Sequence, residues 1–198
     1  MKKVILMAVA LMATVTMSAQ QMYIKPMVGG TLSTFTKIDN SKFRLGLAAG
    51  AEFGYKLAEP FDVTAGLLFT MQGSGQKDTD YTKDVSVTHT MLNIPILANY
   101  YIIPGLAVKA GIQPGFLLSA KNKGTEVYNG KETEYESTST DGLEKFGLSI
   151  PLGLSYEFSD FVIDARYNLG LTNVYKHNGD KKPKNSVIML TLGYKIPF

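Results

Sequence analysis

Apolar and polar residues alternate strictly along most of this chain, the period-two signature of β-strands with two unlike faces. The clearest case runs from Phe43 to Leu57. Phe43, Leu45, Leu47, Phe53, Tyr55 and Leu57 fall on one face with Ala49 and Ala51, while Arg44, Glu52 and Lys56 fall on the other with Gly46, Gly50 and Gly54. Ile188 to Phe198, Phe146 to Phe158 and Phe161 to Leu171 repeat the pattern. Val63 to Met71, Leu92 to Tyr100 and Leu106 to Ala120 follow it less cleanly. Tyr23 to Thr34 is the weakest segment, with Ile24, Pro26, Val28, Gly30 and Leu32 on its apolar side. These segments predict eight strands and no helix of useful length after residue 20.

The connections alternate in length. Residues 35–42, 73–87, 121–144 and 173–185 are long and polar, whereas 57–62, 102–105 and the Ser159-Asp160 turn are tight. Long and short links alternating around an even number of strands is the pattern of outer-membrane barrels, with short periplasmic turns and longer external loops. The expected fold is all-β, an eight-stranded antiparallel up-and-down transmembrane β-barrel.

Alternation alone does not say which face points outward, because a soluble lipocalin-like barrel has the same period with its apolar face inside. Three features favour the membrane. Ten glycines, among them Gly50, Gly54, Gly66, Gly153 and Gly193, sit on the polar face; they weaken a solvated strand but relieve crowding in a narrow lumen. The same face mixes both signs of charge: Arg44, Lys56, Lys109, Arg166 and Lys195 with Glu52, Asp62, Glu157 and Asp164. Within a lumen these predict a mutually neutralising, hydrogen-bonded network, since unpaired buried charge is costly. Finally, Phe43, Tyr55, Tyr100, Tyr156, Phe158, Tyr194 and Phe198 lie near the ends of the apolar faces, where rings suit the membrane interfaces. The ending Tyr194-Lys195-Ile196-Pro197-Phe198 looks like the signal read by barrel-assembly machinery, with Tyr194, Ile196 and Phe198 as its outward residues.

Met1-Lys2-Lys3, the uncharged apolar run from Val4 to Met17, and Ser18-Ala19 have the grammar of a secretory signal peptide. The run is shorter than the ~20 residues of a spanning helix. The expected division is a leader over residues 1–19, cut after Ala19, and a barrel domain over 20–198. Removing Lys2 and Lys3 takes the formal charge from +3 to +1, so charge makes no case for a nucleic-acid partner. The absence of cysteine excludes a lipid-anchored leader, a disulfide scaffold and thiol catalysis.

The runs Leu45–Tyr55 and Phe61–Gly73 resemble the PorT-like family of small outer-membrane β-barrels. So does Met91–Tyr100, whose Leu92-Asn93-Ile94-Pro95-Ile96 is similar to that family's fourth strand. The resemblance extends from about Tyr23 to Phe198. It implies a barrel of OmpA or OmpX size, and, because the family's named member is tied to secretion and gliding machinery, an envelope or secretion complex as one setting.

Candidate chemistry is sparse. His89, at the external start of the fourth strand near Asp84 and Ser86, is the one place for a rim hydrolase of Ser–His–acid type. His177 reads as a solvated loop residue. Two histidines without cysteine do not form a zinc site, and Asp78, Asp80 and Asp84 read as solvated rather than as a calcium site. No metal, cofactor or catalytic residue is expected. Lys181, Lys182 and Lys184 in the last long loop form a candidate contact to lipopolysaccharide phosphates. The expected partners are outer-membrane lipid and lipopolysaccharide, the assembly machinery during insertion, and other envelope proteins. The leading function is a non-enzymatic structural or interaction module with a closed lumen; a small channel, which eight strands disfavour, and the His89 hydrolase follow in that order.

Overall fold

The computed structural model describes residues 22–198 apart from 39, 80, 81, 129, 130 and 177–181. The expected leader, His177 and Lys181 lie outside the described residues. In chain order the strands are β1 (Met22–Phe35), β2 (Ser41–Lys42), β3 (Arg44–Ala58), β4 (Phe61–Gln76), β5 (Thr82–Asn93) and β6 (Ile96–Ile103). They continue with β7 (Leu106–Tyr128), β8 (Lys131–Thr138), β9 (Phe146–Phe158), β10 (Phe161–Gly170), β11 (Asn185–Tyr194) and β12 (Ile196–Pro197).

Every pairing is antiparallel, and the sheet closes on itself where β1 meets β11, with Thr31 opposite Met189. Several strands are parts of one stave. β5 and β6 are separated only by Ile94 and Pro95, where proline has no N–H to donate. There the neighbours adapt: Ile94 N–H donates to the Pro114 carbonyl at 2.8 Å, and the Pro95 carbonyl accepts from Gly66 N–H at 3.0 Å. β2 with β3, and β11 with β12, are likewise interrupted by single residues, Phe43 and Lys195. With β8 standing off the ring, the closed path passes through eight staves.

Two-residue turns link β3 to β4, β6 to β7 and β9 to β10. They share one end of the ring, and the long connections share the other. The outward positions of β4 are Phe61, Val63, Ala65, Leu67, Phe69 and Met71; the inward ones include Asp62, Thr64, Thr70 and Gln72. From Phe61 to Met71 the chain makes ten steps of about 3.3 Å, which at a tilt of about 40° gives an apolar band about 25 Å tall. That is the height of a bilayer's hydrocarbon layer as barrels meet it. Aromatic neighbours line the tight-turn rim, including Phe61 with Tyr100 (4.9 Å between centroids), Phe158 with Phe161 (5.7 Å) and Phe161 with Tyr194 (5.2 Å).

Two connections differ from their reading as loops. In residues 73–87, β4 runs on to Gln76 and β5 begins at Thr82, with Ser74 opposite Val87 and Gly75 opposite Ser86. The second departs further. Much of residues 121–144 is ladder: β7 runs on past its outward Leu118 to Tyr128 and pairs with β8 from Lys121 opposite Thr138 to Tyr128 opposite Lys131. Both faces of this hairpin are wet, so its sequence carries no hydrophobic contrast from which alternation could be read.

Candidate functional site

The lumen is filled rather than open. At mid-height five charged side chains, each no more than 6% exposed, meet from four staves: Lys25 of β1, Glu52 of β3, Lys109 of β7, and Asp164 and Arg166 of β10. Arg166 makes the central links, with Nη1 2.6 Å from Glu52 Oε1 and Nε 2.6 Å from Asp164 Oδ1. Lys25 Nζ lies 2.9 Å from Glu52 Oε2 and 3.6 Å from Asp164 Oδ2, and Lys109 Nζ lies 2.5 Å from Asp164 Oδ2. Charged groups taken this far from water are tolerated only when paired.

Inward glycines make room for these side chains. A methyl on Gly66 would come within 2.7 Å of Glu52 Cγ, one on Gly153 within 2.9 Å of Arg166 Cγ, and one on Gly193 within 2.9 Å of Lys25 Cγ. Alternation places glycine inside; the close approach explains why nothing larger fits.

Toward the tight turns lies a second polar cluster. Asp62, 2% exposed, accepts hydrogen bonds from Tyr23 Oη at 2.8 Å and Tyr101 Oη at 3.1 Å, and from the Asn99 side-chain amide. The Tyr101 hydroxyl also lies 2.5 Å from Glu157 Oε1, so its one proton serves two carboxylates, and Lys195 Nζ lies 3.0 Å from Glu157 Oε2. The Tyr23 ring lies across Gly54, where an added methyl would sit 2.0 Å from Tyr23 Cζ. Below this cluster is a cavity of about 580 Å³ that opens at the tight-turn end.

Toward the long loops, Met27, Ala48, Leu68 and Met189 form an apolar layer, followed by a cavity of about 40 Å³ lined by Gln72, His89, Asn93, Gln113 and Asn168. Phe35, Met91, Leu117, Ala120, Leu143 and Val174 cover that end.

Residues 13–176 match a family described as the outer membrane protein beta-barrel domain. The chain belongs to this family. As an outer membrane β-barrel protein it resides in the bacterial outer membrane and crosses it with strands. Among solved structures it is similar to Ail, the attachment invasion locus protein of Yersinia pestis, at 17% identity and a TM-score of 0.52, with 89% of this chain and 99% of that chain covered. It is also similar to OprG from Pseudomonas aeruginosa, at 16% identity and a TM-score of 0.43, with 90% and 97% covered. Neisserial surface protein A gives 14% identity and a TM-score of 0.43, with 89% and 97% covered. No curated protein matches the sequence.

Across this outer membrane barrel, the charged residues singled out in the sequence separate into groups. Glu52, Lys109, Asp164 and Arg166 meet in the central cluster, while Asp62, Glu157 and Lys195 meet near the tight turns. Two residues depart from the expected network. Lys56 is exposed at the β3–β4 turn, paired with Glu59 at 2.7 Å, because its stave ends two residues on and its long side chain reaches water. Arg44 stands near the opposite rim, half-buried and outside both clusters. Lys25, absent from the expected set, is central. The alternation of the first strand puts Lys25 opposite in parity to Ile24 and Pro26, and that signal was sufficient to find it.

His89 does not form a rim triad. Its ring is buried, packs 5.3 Å from the Phe35 ring and leaves Nε2 without a hydrogen-bond partner, while Asp84 is exposed in a left-handed conformation (φ 53°). Asp78 is 3.6 Å from Lys42. Among the described residues no group of three or more histidine or acidic side chains is placed to hold a metal ion. Lys182 is exposed, whereas the Lys184 backbone is tied to Thr36 through a 2.9 Å hydrogen bond from Thr36 N–H. Tyr194, Ile196 and Phe198 all point outward, and the Phe198 ring lies 6.1 Å from that of Phe53.

Proposed function

We propose that this outer membrane protein is a sealed eight-stranded barrel that acts as a structural or interaction module, not as a pore or an enzyme. The ion cluster of Lys25, Glu52, Lys109, Asp164 and Arg166 carries this reading. It ties β1, β3, β7 and β10 together across the lumen and leaves no continuous aqueous path at its level. Counting the tight-turn cluster, four cations (Lys25, Lys109, Arg166, Lys195) face four carboxylates (Glu52, Asp62, Glu157, Asp164), so the filling is neutral.

In this reading the tight turns face the periplasm and the long loops face outward. The β7–β8 hairpin is then the docking element, since it projects beyond the apolar band and β8 is exposed throughout. Lys181, Lys182 and Lys184 of the last long loop are the candidate contact to lipopolysaccharide phosphates, supported by the exposure of Lys182, and Tyr194, Ile196 and Phe198 present the outward face that assembly machinery would read. The motif residues from Leu45 to Tyr55 and from Leu92 to Ile96 favour a PorT-like member, and with it a setting in an envelope complex.

Two measurements test the proposal. Purified protein in planar bilayers should give no current steps above those of the bare membrane; stable unitary steps would overturn the sealed barrel. Affinity purification from mildly solubilised outer membranes should recover a stoichiometric companion, lost when residues 124–135 are replaced by a short glycine-serine turn. A barrel that emerges alone in several detergents would overturn the docking role.

A further inference from the structure

The cavity at the tight-turn end differs from the rest of the lumen. At about 580 Å³ it falls in the size range of small-ligand sites, whereas the amide-lined cavity of about 40 Å³ holds only a few water molecules. Ile102 and Ile103 provide apolar wall, and Asp62 and Glu157 lie on its inner side.

Its charge is unbalanced. Lys56 and Lys195 are matched by Glu59 and Glu157, which leaves Asp62 on the cavity's inner side and Asp160 at its mouth as the excess carboxylates. Lys56 pairs with Glu59 at 2.7 Å and Lys195 with Glu157 at 3.0 Å. Asp62 is held by the neutral donors Tyr23, Tyr101 and Asn99, and Asp160 accepts from Tyr194 Oη at 3.2 Å. Neither appears in an ion pair among the described residues. The cavity also displays how it receives a cation: Lys195 Nζ lies 4.2 Å from the Tyr23 ring centroid and 5.8 Å from that of Tyr101, within cation–π range.

We propose that this cavity binds an organic monocation, an ammonium or guanidinium group on a short apolar stem. The head group meets Glu157 and the tyrosine hydroxyls above Asp62, and the stem lies along Ile102 and Ile103. An anion of the same shape meets a net negative field, and a neutral analogue leaves that field unanswered. The binding does not depend on any partner at the long-loop end.

The test uses the full barrel in lipid nanodiscs, titrated by calorimetry with n-hexylammonium, hexanoate and 1-hexanol against empty nanodiscs. Hexylammonium should bind saturably, one per barrel and at least about tenfold more tightly than the other two. Glu157→Gln and Asp62→Asn should each weaken it about tenfold, while Asp141→Asn, exposed at the long-loop end, should leave it unchanged. Glu157 is partly exposed, so its variant serves even where Asp62→Asn fails to fold. Nα-acetyl-lysine N-methylamide separates the sources: binding with the same sensitivity to the variants points to a lysine side chain, and binding of hexylammonium alone to a free amine. Equal binding of the three hexyl probes, or Glu157→Gln binding as well as the parent, would overturn the proposal.

Discussion

Arg166 Nη1 lies 2.6 Å from Glu52 Oε1, although their strands, β10 and β3, are separated around the ring by β11 and β1. No backbone ladder joins these two staves directly, so the pair braces the barrel from within. Removing one partner leaves the other charged, buried and short of a counter-ion. Glu52→Ala is expected to destabilise the barrel by about 3–5 kcal/mol, read as urea unfolding in lipid vesicles. A double-mutant cycle with Arg166→Met should give a coupling energy of about 0.5–3 kcal/mol; a value near zero would show that the two residues do not act as a pair.

Glycine positions inside the barrel should differ sharply in tolerance. A Cβ at Gly153 would stand 2.5 Å from the Ala165 carbonyl oxygen and 2.9 Å from Arg166 Cγ, whereas at Gly147 its nearest neighbour is 3.6 Å away. Gly153→Ala is expected to cost about 1–3 kcal/mol through overpacking, and Gly147→Ala to be close to neutral. Thermal unfolding of the two variants in parallel checks this, and equal shifts would contradict the cradle.

Outward positions should respond to depth rather than to exposure. Leu67 and Phe43 are similarly exposed, at 56% and 61%, but Leu67 stands near the middle of the apolar band and Phe43 at its rim. Leu67→Arg should cost about 2–4 kcal/mol and Phe43→Arg about 0–1 kcal/mol. Chemical denaturation in vesicles measures both, and a reversed order would move the membrane away from this band.

The hairpin should loosen in acid while the barrel holds. Lys121 Nζ lies 2.6 Å from Glu136 Oε1, and this hydrogen bond holds the Glu136 carboxyl below its ordinary range. A carboxylate lowered on folding stabilises fully above its unfolded value, and the contribution fades as pH falls through that value to the folded one. Amide exchange of residues 121–138 should therefore quicken as pH is lowered through the carboxylate range, after correction for intrinsic rates. Glu136→Gln should abolish that step.

The hydrophobic contrast between two environments made most of the strands readable. Where one face meets lipid and the other a packed lumen, as in β3 and β10, the period-two pattern is nearly unbroken. In the β7–β8 hairpin both faces meet water, and the ladder left no trace in the hydropathy. Chain breaks within staves were equally hidden, because Pro95 and Lys195 keep the alternation while interrupting the pairing.

By itself, the sequence determined the strand parity, the outward apolar surface and most of the charges that turn inward, because each follows from a period-two backbone with unlike solvents on its two sides. Only the tertiary structure decided which of those charges meet. Ring closure and strand stagger bring Glu52 to Arg166 and leave Arg44 and Lys56 apart, and they set the Tyr23 ring over Gly54. Those contacts depend on the relative heights of staves distant in sequence, and heights are fixed by the pairing of every stave between them, not by any residue's own neighbours.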